Sequence, residues 1–335
     1  MFHEAAQAAE SVRAQLERNR IGMRDLGAKL RELRPRAVVT CARGSSDHAA
    51  TFAKYVIETR VGLITASAAP SIASIYGARQ DMRECLFIAI SQSGRSPDLL
   101  AATEAAKDGG AFVVALVNDE SSPLASMANL ALGLAAGEER SVAATKSFIA
   151  SLAALVHLTA EWTLDHALSV ALARAPDDLE RAWSLDWSTA LEVLKPATNL
   201  YVIGRGVGLG VAQEAALKCK ETCGLHAEGF SSAEVRHGPQ ALLQDDFPAL
   251  VFSQDDEARA GIETLARDLV ARGVEVMIAG ATVPGARALP SVATHPLVEP
   301  LLLAQSFYRL ANALAIARGR DPDRPPNLRK VTETT

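Results

Sequence analysis

Apolar residues recur along the chain with two different spacings. From residue 2 to 33 they follow helical spacing, and Arg34-Pro35 is expected to end that helix. Short, mostly apolar runs follow at 37–42, 86–90 and 112–117, and small-residue turns or helical stretches separate them. Runs that are apolar on both faces are typical of parallel sheets. The alternation of strand, turn and helix therefore predicts an α/β fold.

The second half of the chain repeats the pattern of the first. Arg43 and Arg205, which end two matching runs, are 162 residues apart, and so are Ser91 and Ser253. Two independent landmarks with one offset predict a tandem duplication. Residues 146–195 read as helices broken near Pro176, and the prolines after Asp321 exclude a long helix in the tail. The predicted organisation is a helical segment 1–34, a first domain 35–165, a helical linker 166–195, a second domain 196–320 and a tail 321–335.

Composition narrows the functional class. The chain is 49% hydrophobic and 22% charged with a net charge of −5, which fits a soluble globular protein and argues against a dedicated nucleic-acid binder. The longest apolar stretch, 148–158, is short of the ~20 residues that span a membrane, and the N-terminus does not resemble a signal peptide. The four cysteines, without zinc spacing, are expected to be reduced thiols in a cytoplasmic protein. No metal site is expected.

A hydroxyl-rich turn follows the second apolar run. Ser91-Gln92-Ser93-Gly94-Arg95-Ser96 separates a strand from a helix, where free backbone N–H groups and the helix dipole favour an anion. Simple capping before Pro97 is the alternative, but capping needs only one serine. Gly44-Ser45-Ser46 occupies the same position in the first unit. In the second copy the turn reads Ser253-Gln254-Asp255-Asp256, whose carboxylates would repel phosphate, so only the first copy is expected to bind it.

Charged residues later in the chain suggest proton transfer. Glu214, Lys218 and Glu221 share one helix face in an apolar context, which suits a proton shuttle and equally suits ordinary surface ion pairs. His237 lies at a Gly-Pro turn, where a catalytic and a structural role are evenly matched. A dinucleotide site at 204–210 is disfavoured, because the glycine spacing fails the GxGxxG fingerprint.

In this order, the motifs resemble those of the sugar isomerase (SIS) domain family, most closely the isomerase half of glucosamine-6-phosphate synthase and its stand-alone relatives. The resemblance spans nearly the whole chain and rests on six motifs: Ser91-Gln92-Ser93-Gly94, Val142-Ala143-Ala144-Thr145-Lys146, Ala216-Leu217-Lys218-Cys219-Lys220-Glu221, His226-Ala227-Glu228, His237-Gly238-Pro239 and Asn327-Leu328-Arg329-Lys330. It implies two tandem SIS domains, each a doubly wound, flavodoxin-like five-stranded parallel sheet between helices, in a homodimer.

The resemblance also implies roles for individual residues. Glu221 would move the proton between C1 and C2, Lys218 would lie near the open-chain oxygen, and His237 would come from the neighbouring subunit to open the ring. Lys330 matches a lysine that can form a Schiff base with a keto sugar. The remaining implied contacts are to the phosphate, from Ser46, Ser91, Gln92, Ser93 and Ser96, and to the sugar, from Ser45, Glu139, Val142 and Ala144. Ala144 stands where the synthase has a serine.

The synthase begins with a glutaminase domain, whereas this chain has about 34 residues before its first strand. That difference predicts the reverse reaction, in which glucosamine-6-phosphate gives fructose-6-phosphate and ammonia without a metal or redox cofactor. Galactosamine-6-phosphate deamination, fructosamine-6-phosphate deglycation and simple aldose–ketose isomerisation remain alternatives within the enzyme class. A non-catalytic sugar-phosphate sensor is the alternative outside it.

Overall fold

The computed structural model describes residues 1–244 and 246–330, so the last five residues of the predicted tail lie outside it. The strands are β1 Ala37–Cys41, β2 Thr65–Ser67, β3 Cys85–Ser91, β4 Phe112–Val117, β5 Leu130–Gly133, β6 Asn199–Gly204, β7 His226–Ser231, β8 Ala249–Phe252, β9 Val276–Ala279 and β10 Arg287–Leu289. The α-helices are α1 Phe2–Ala6, α2 Ala8–Leu33, α3 Ser45–Arg60, α4 Ser71–Ser74, α5 Pro97–Asp108, α6 Pro123–Met127, α7 Lys146–Thr163, α8 His166–Ser184, α9 Ser188–Leu194, α10 Leu209–Cys223, α11 Arg259–Ala271 and α12 Glu299–Ala317. Three short 3-10 helices cover Gly206–Gly208, Glu234–His237 and Pro239–Leu242.

The chain forms two compact units. The first-sheet unit comprises Glu10–Glu139, Lys146–Ala173 and the described end of the tail, Arg329 and Lys330. The second-sheet unit comprises Met1–Ala9, Arg140–Thr145 and Arg174–Leu328. None of the described helices is both long enough and apolar enough to cross a bilayer.

Each unit contains one five-stranded parallel sheet. The strand orders are β2-β1-β3-β4-β5 and β10-β9-β8-β6-β7, which are the same order once the second is read from its other edge. β1 begins at Ala37 and β6 at Asn199, an offset that equals the predicted 162 residues. The α/β fold of two tandem repeats is therefore confirmed.

The buried strands explain why each sheet carries helices on its faces. In β4 every residue from Val113 to Val117 is buried, and β3 is buried from Leu86 onward. Strands that are apolar on both sides need cover on both sides, which crossover helices provide. Leu99 and Ala102 of α5 pack with Phe87 and Val113 in the core of the first-sheet unit, while Leu265 and Leu269 of α11 belong to the core of the second.

The break predicted near Pro176 is wrong, because α8 continues through that proline. A proline inside a helix removes one backbone hydrogen bond, but it does not remove the packing of the helix face. Residues on that face are buried at helical spacing on both sides of Pro176: Leu168, Leu172, Ala175, Leu179 and Ala182. The breaks lie instead at 164–165 and 185–187.

His157 is a buried histidine in the middle of α7. Its side chain is 8% exposed, and Nδ1 has no hydrogen-bond partner among the described residues. Burial lowers the pKa of His157 to about 4, because a dry environment disfavours the imidazolium form. The folded protein thus binds this proton less readily than the unfolded chain does.

We expect this histidine to make stability depend on pH. Its contribution is fully retained above the unfolded value near 6.5 and is lost as the pH falls towards 4. Between pH 7.5 and pH 5 the loss should be about 2 kcal/mol, since one pKa unit corresponds to about 1.4 kcal/mol. Urea unfolding of the wild type and of His157→Leu at both pH values should show a smaller difference for the variant. His226→Gln, a change at an exposed histidine, should retain the full difference, and equal pH dependence in all three proteins would contradict the assignment.

Candidate active site

The turn after β3 forms a tight loop of polar groups. The Ser91 hydroxyl accepts a hydrogen bond from the Gly94 amide at 2.9 Å, and the Ser93 hydroxyl accepts one from the Arg95 amide at 3.4 Å. Gly94 has a φ of +63°, and a Cβ there would lie 2.2 Å from the Ser122 hydroxyl oxygen. Only glycine meets both requirements, so the loop shape depends on this residue.

Ser96 ends the loop as the N-cap residue of α5, with Pro97 at the first helical position. Its side chain makes no capping hydrogen bond in the described structure, so the cap does not use this hydroxyl. Simple capping therefore does not account for the hydroxyls of the loop. The first-turn N–H groups of α5 lie at the same place, where the dipole favours an anion.

A second turn lies next to this one. β1 and β3 are hydrogen-bonded neighbours, with Cys41 opposite Ala89, so the segments that follow them leave the same edge of the sheet. Gly44, with a φ of +55°, precedes α3, and Ser45 and Ser46 form the first turn of that helix. The strand order reverses between β1 and β3, and ligands of doubly wound sheets bind at this reversal. The structure thus places the predicted phosphate residues of both turns at one sheet edge.

Two arginines flank this edge, and each is held by a carboxylate. Arg43 donates to Asp98 at 2.7 Å, and this carboxylate is only 2% exposed. Arg95 donates to Asp119 at 2.8 Å. Hydrogen bonds from Ser121 and Arg95 hold the pKa of Asp119 below its usual value. Sequence analysis noted neither carboxylate, because their partners are 55 and 24 positions away and no spacing rule connects them.

The matching turn of the second-sheet unit contains its own anion. One Asp256 oxygen accepts from the Ala258 amide at 2.9 Å, and the other accepts from the Gln254 side-chain amide at 2.8 Å. Gln254 is fully buried and also donates to the Arg205 carbonyl at 3.0 Å. A carboxylate thus accepts hydrogen bonds from donors beside this turn.

Glu139 is buried in the first-sheet unit among polar groups. Its carboxylate accepts from the Ser147 hydroxyl at 2.7 Å and from the Lys330 ammonium at 3.2 Å. Lys330, at the end of the described tail, thus contacts a residue that the family resemblance assigns to sugar binding. The family resemblance assigns both residues to the site, and the ion pair between them is a feature that the sequence pattern does not predict.

Val142 and Ala144 lie on a loop of the second-sheet unit. Glu4 of α1 accepts hydrogen bonds from the amides of Arg140 and Ser141, the latter at 3.2 Å. The Val142 amide donates to the Asp323 carbonyl at 3.4 Å. The loop is therefore fixed by a residue near the start of the chain and by the backbone of the tail.

The charged face of α10 contains a buried lysine between two glutamates. The Lys218 ammonium lies 2.5 Å from Glu221 and 3.3 Å from Glu214. Lys218 and Glu214 are essentially inaccessible, whereas Glu221 is 21% exposed. Burial opposes the charged lysine, but the two carboxylates outweigh it and raise the pKa of Lys218. Surface ion pairing, the alternative left open by the sequence, does not describe this cluster.

Glu221 opens onto a cavity of about 320 Å³ between the end of α10 and the tail. The cavity is lined by Leu217, Lys220, Glu221, Thr222, Gly224, Arg320, Pro326 and Leu328. His237 lies elsewhere in the second-sheet unit, exposed at the end of its 3-10 helix and followed by Gly238 at a φ of +142°. Among the described residues, no three His, Cys, Asp or Glu side chains are grouped as metal ligands.

The chain contains two doubly wound parallel sheets in tandem, one in each unit. The chain belongs to the SIS domain family, whose model matches residues 33–160 and 193–281. The resemblance noted in the sequence is thus confirmed, and the structural neighbours include proteins described as phosphosugar isomerases.

Three relatives illustrate the similarity. Glutamine–fructose-6-phosphate aminotransferase (isomerizing) of Aeropyrum pernix is 35% identical over 86% of this chain and 49% of its own length. The chain thus spans about half the length of the curated relatives it matches. A structure from Silicibacter pomeroyi, described as a candidate phosphosugar isomerase, is 42% identical with a TM-score of 0.93, over 96% of this chain and 99% of that one. Glucosamine-6-phosphate deaminase of Thermotoga maritima shares the fold, with 23% identity and a TM-score of 0.79 over 99% of each chain.

If the turn after β3 binds phosphate, as the sequence predicts, Gly94→Ala should abolish that binding, because the added methyl group would collide with Ser122 and force the loop open. Gly77→Ala is the matched control: it has a similar φ of +58°, but a Cβ there meets nothing within 4 Å. Both variants carry the strain of positive φ, about 1 kcal/mol. Calorimetric titration with fructose-6-phosphate should show binding to Gly77→Ala and none to Gly94→Ala. Similar affinities in the two variants would contradict the proposed site.

Proposed function

We propose that this phosphosugar isomerase family member is a glucosamine-6-phosphate deaminase, which converts glucosamine-6-phosphate and water into fructose-6-phosphate and ammonia. The observation that carries the proposal is the Lys218–Glu221 pair. It presents a partly exposed carboxylate, backed by a buried ammonium, to a cavity large enough for part of a sugar.

The reaction needs three roles, namely ring opening, proton transfer and charge stabilisation. His237 opens the ring by moving the proton between the C1 hydroxyl and the ring oxygen. Glu221 removes the C2 proton of the open-chain aldehyde and returns it to C1, while Lys218 stabilises the negative charge that develops on the C1 oxygen. The C2 amine loses one N–H proton and the C1 oxygen gains one, which gives an imine at C2 and a hydroxyl at C1. Water adds to the imine carbon and ammonia leaves, which gives the ketone of fructose-6-phosphate, so substrate and water account for every atom.

The phosphate serves as a handle. Hydroxyls of Ser46, Ser91, Ser93 and Ser96 and the amide of Gln92 would hold it at the edge of the first sheet. Binding at the non-reacting end of the sugar restricts the motion of C1 and C2 relative to the enzyme. Ser45, Glu139, Val142 and Ala144 would contact the sugar, and Lys330, held by Glu139, would approach the keto carbon as an amine.

The names of the relatives support this choice of substrate. The aminotransferase relatives are named for fructose-6-phosphate, and their similarity to this chain covers 86% of it in the Aeropyrum case. The Thermotoga neighbour is named for glucosamine-6-phosphate deamination. These two compounds are the product and the substrate of the proposed reaction.

The direct test is to incubate the protein with glucosamine-6-phosphate and to follow ammonia and fructose-6-phosphate together. Equal release of both supports the proposal. Glu221→Gln should then reduce turnover at least about 100-fold, because it removes the base. Glu275→Gln, which alters an exposed glutamate paired with Arg287 in the same unit, should retain full activity. Turnover of galactosamine-6-phosphate alone would correct the substrate, and binding without turnover of any amino-sugar phosphate would favour a sensor.

We further propose that the enzyme is a homodimer in which His237 completes the site of the partner subunit. Its exposed position on a turn is compatible with that role. Heterodimers of His237→Asn and Glu221→Gln subunits then contain one site with both residues intact and one with neither. We expect such heterodimers to show about half of the wild-type activity, although each homodimer is inactive. Inactive heterodimers would place His237 in the site of its own chain.

A further inference from the structure

The charge cluster on α10 extends beyond the residues assigned above. Glu214 lies one turn before Lys218, and its side chain is 1% exposed. A buried carboxylate needs hydrogen-bond donors to remain charged. One donor comes from a different helix, because the Tyr308 hydroxyl of α12 donates to Glu214 Oε1 at 3.0 Å.

Tyr308 is placed there by the packing of the two helices. It is fully buried, and one turn further along α12 the carbonyl of Ala311 accepts from the Cys223 thiol at the end of α10. The same Glu214 oxygen that accepts from Tyr308 lies 3.3 Å from the Lys218 ammonium. The Tyr308 hydroxyl and the Lys218 ammonium therefore both stabilise the negative charge on this oxygen.

The hydrogen bond from Tyr308 affects how closely the Lys218 ammonium approaches each of the two glutamates. Both compete for one ammonium, which lies closer to Glu221 at 2.5 Å than to Glu214 at 3.3 Å. A hydrogen bond to a charged group stabilises that charge and weakens the attraction of the group to other partners. The hydrogen bond from the tyrosine hydroxyl thus weakens the attraction of Lys218 to Glu214 and favours a position of the ammonium close to Glu221.

We propose that Tyr308 is a positioning residue that acts through Glu214 to hold the Lys218 ammonium against Glu221. The consequence for catalysis rests on the proposed function, in which Glu221 is the base. Other groups near the pair are Lys220 and Arg320, which line the cavity with Glu221, and the buried thiols of Cys219 and Cys223 on α10. The variants described next leave all of these groups unchanged.

Tyr308→Phe removes the hydroxyl and keeps the ring. Glu214 should then draw Lys218 away from Glu221, whose carboxylate becomes easier to protonate. We expect the acidic limb of the kcat/KM profile to move up by about half a pH unit, and kcat to fall about three- to tenfold with KM unchanged. Tyr201→Phe is the matched control, because Tyr201 is also buried in this unit but packs against Phe230 and Phe247.

Glu214→Gln should act in the opposite direction. It keeps the size of the side chain and an acceptor for Tyr308 but removes the competing charge. The attraction of Lys218 to Glu214 is then lost while that to Glu221 remains, so the acidic limb should move down. Shifts of opposite sign in the two variants indicate repositioning of the lysine. A general loss of packing would move the acidic limb in the same direction in both variants, or in neither.

A readout without substrate separates this proposal from the proposed function. In protein labelled with ¹³C at glutamate carboxyls, the Glu221 signal is assigned by its loss in Glu221→Gln. Its titration midpoint should rise in Tyr308→Phe and fall in Glu214→Gln, whether or not the wild type deaminates glucosamine-6-phosphate. If wild-type turnover is absent but the shifts are present, the reaction is wrong and the positioning role stands.

An unchanged or lowered midpoint in Tyr308→Phe would overturn the positioning role, whatever Glu214→Gln shows and even if both variants lose stability. Should Tyr308→Phe fail to fold, 3-fluorotyrosine at position 308, a stronger donor of nearly the same shape, decides instead: a lower Glu221 midpoint supports the role, and an unchanged midpoint refutes it.

Discussion

An ammonium group without access to water requires anions beside it, and Lys218 imposes this requirement on the second-sheet unit. Desolvation of an isolated charge would cost several kcal/mol, and Glu214 and Glu221, which lie on the same helix face, offset this cost. Glu214 is buried in turn, which extends the requirement to Tyr308 of α12. The charge state of the candidate site therefore depends on the packing of α12 against α10.

The duplication shows how one scaffold supports two different turns. Ser91-Gln92-Ser93-Gly94 and Ser253-Gln254-Asp255-Asp256 follow equivalent strands in sheets of the same order. In the first copy, Gly94 with its positive φ folds the turn so that its amide donates to Ser91. In the second, aspartate replaces that glycine and its carboxylate accepts from Gln254 and from a backbone amide. An incoming phosphate would meet negative charge there, whereas the first turn offers hydroxyls and the start of a helix.

Features that depend on residues close along the chain are the most predictable from the sequence. The apolar strands, the 162-residue repeat and the helical spacing of Glu214, Lys218 and Glu221 are of this kind. The predicted break at Pro176 is wrong, because burial on both sides of the proline outweighs one lost hydrogen bond. The contacts of Tyr308, Asp98 and Glu4 are not predictable, because they join residues 94, 55 and 136 or more positions apart. Such contacts depend on how helices and loops pack, and no local pattern records them.

The loop around Val142 shows how packing limits the chemistry available to a ligand. The amides of Arg140 and Ser141 donate to Glu4, and that of Val142 donates to the tail at Asp323. Because the Val142 amide is already hydrogen-bonded, the proposed sugar contact of its backbone would use the carbonyl oxygen, which accepts a hydrogen bond and cannot donate one. Hydroxyl groups of a sugar satisfy such an acceptor, whereas a carboxylate or phosphate would be repelled by it.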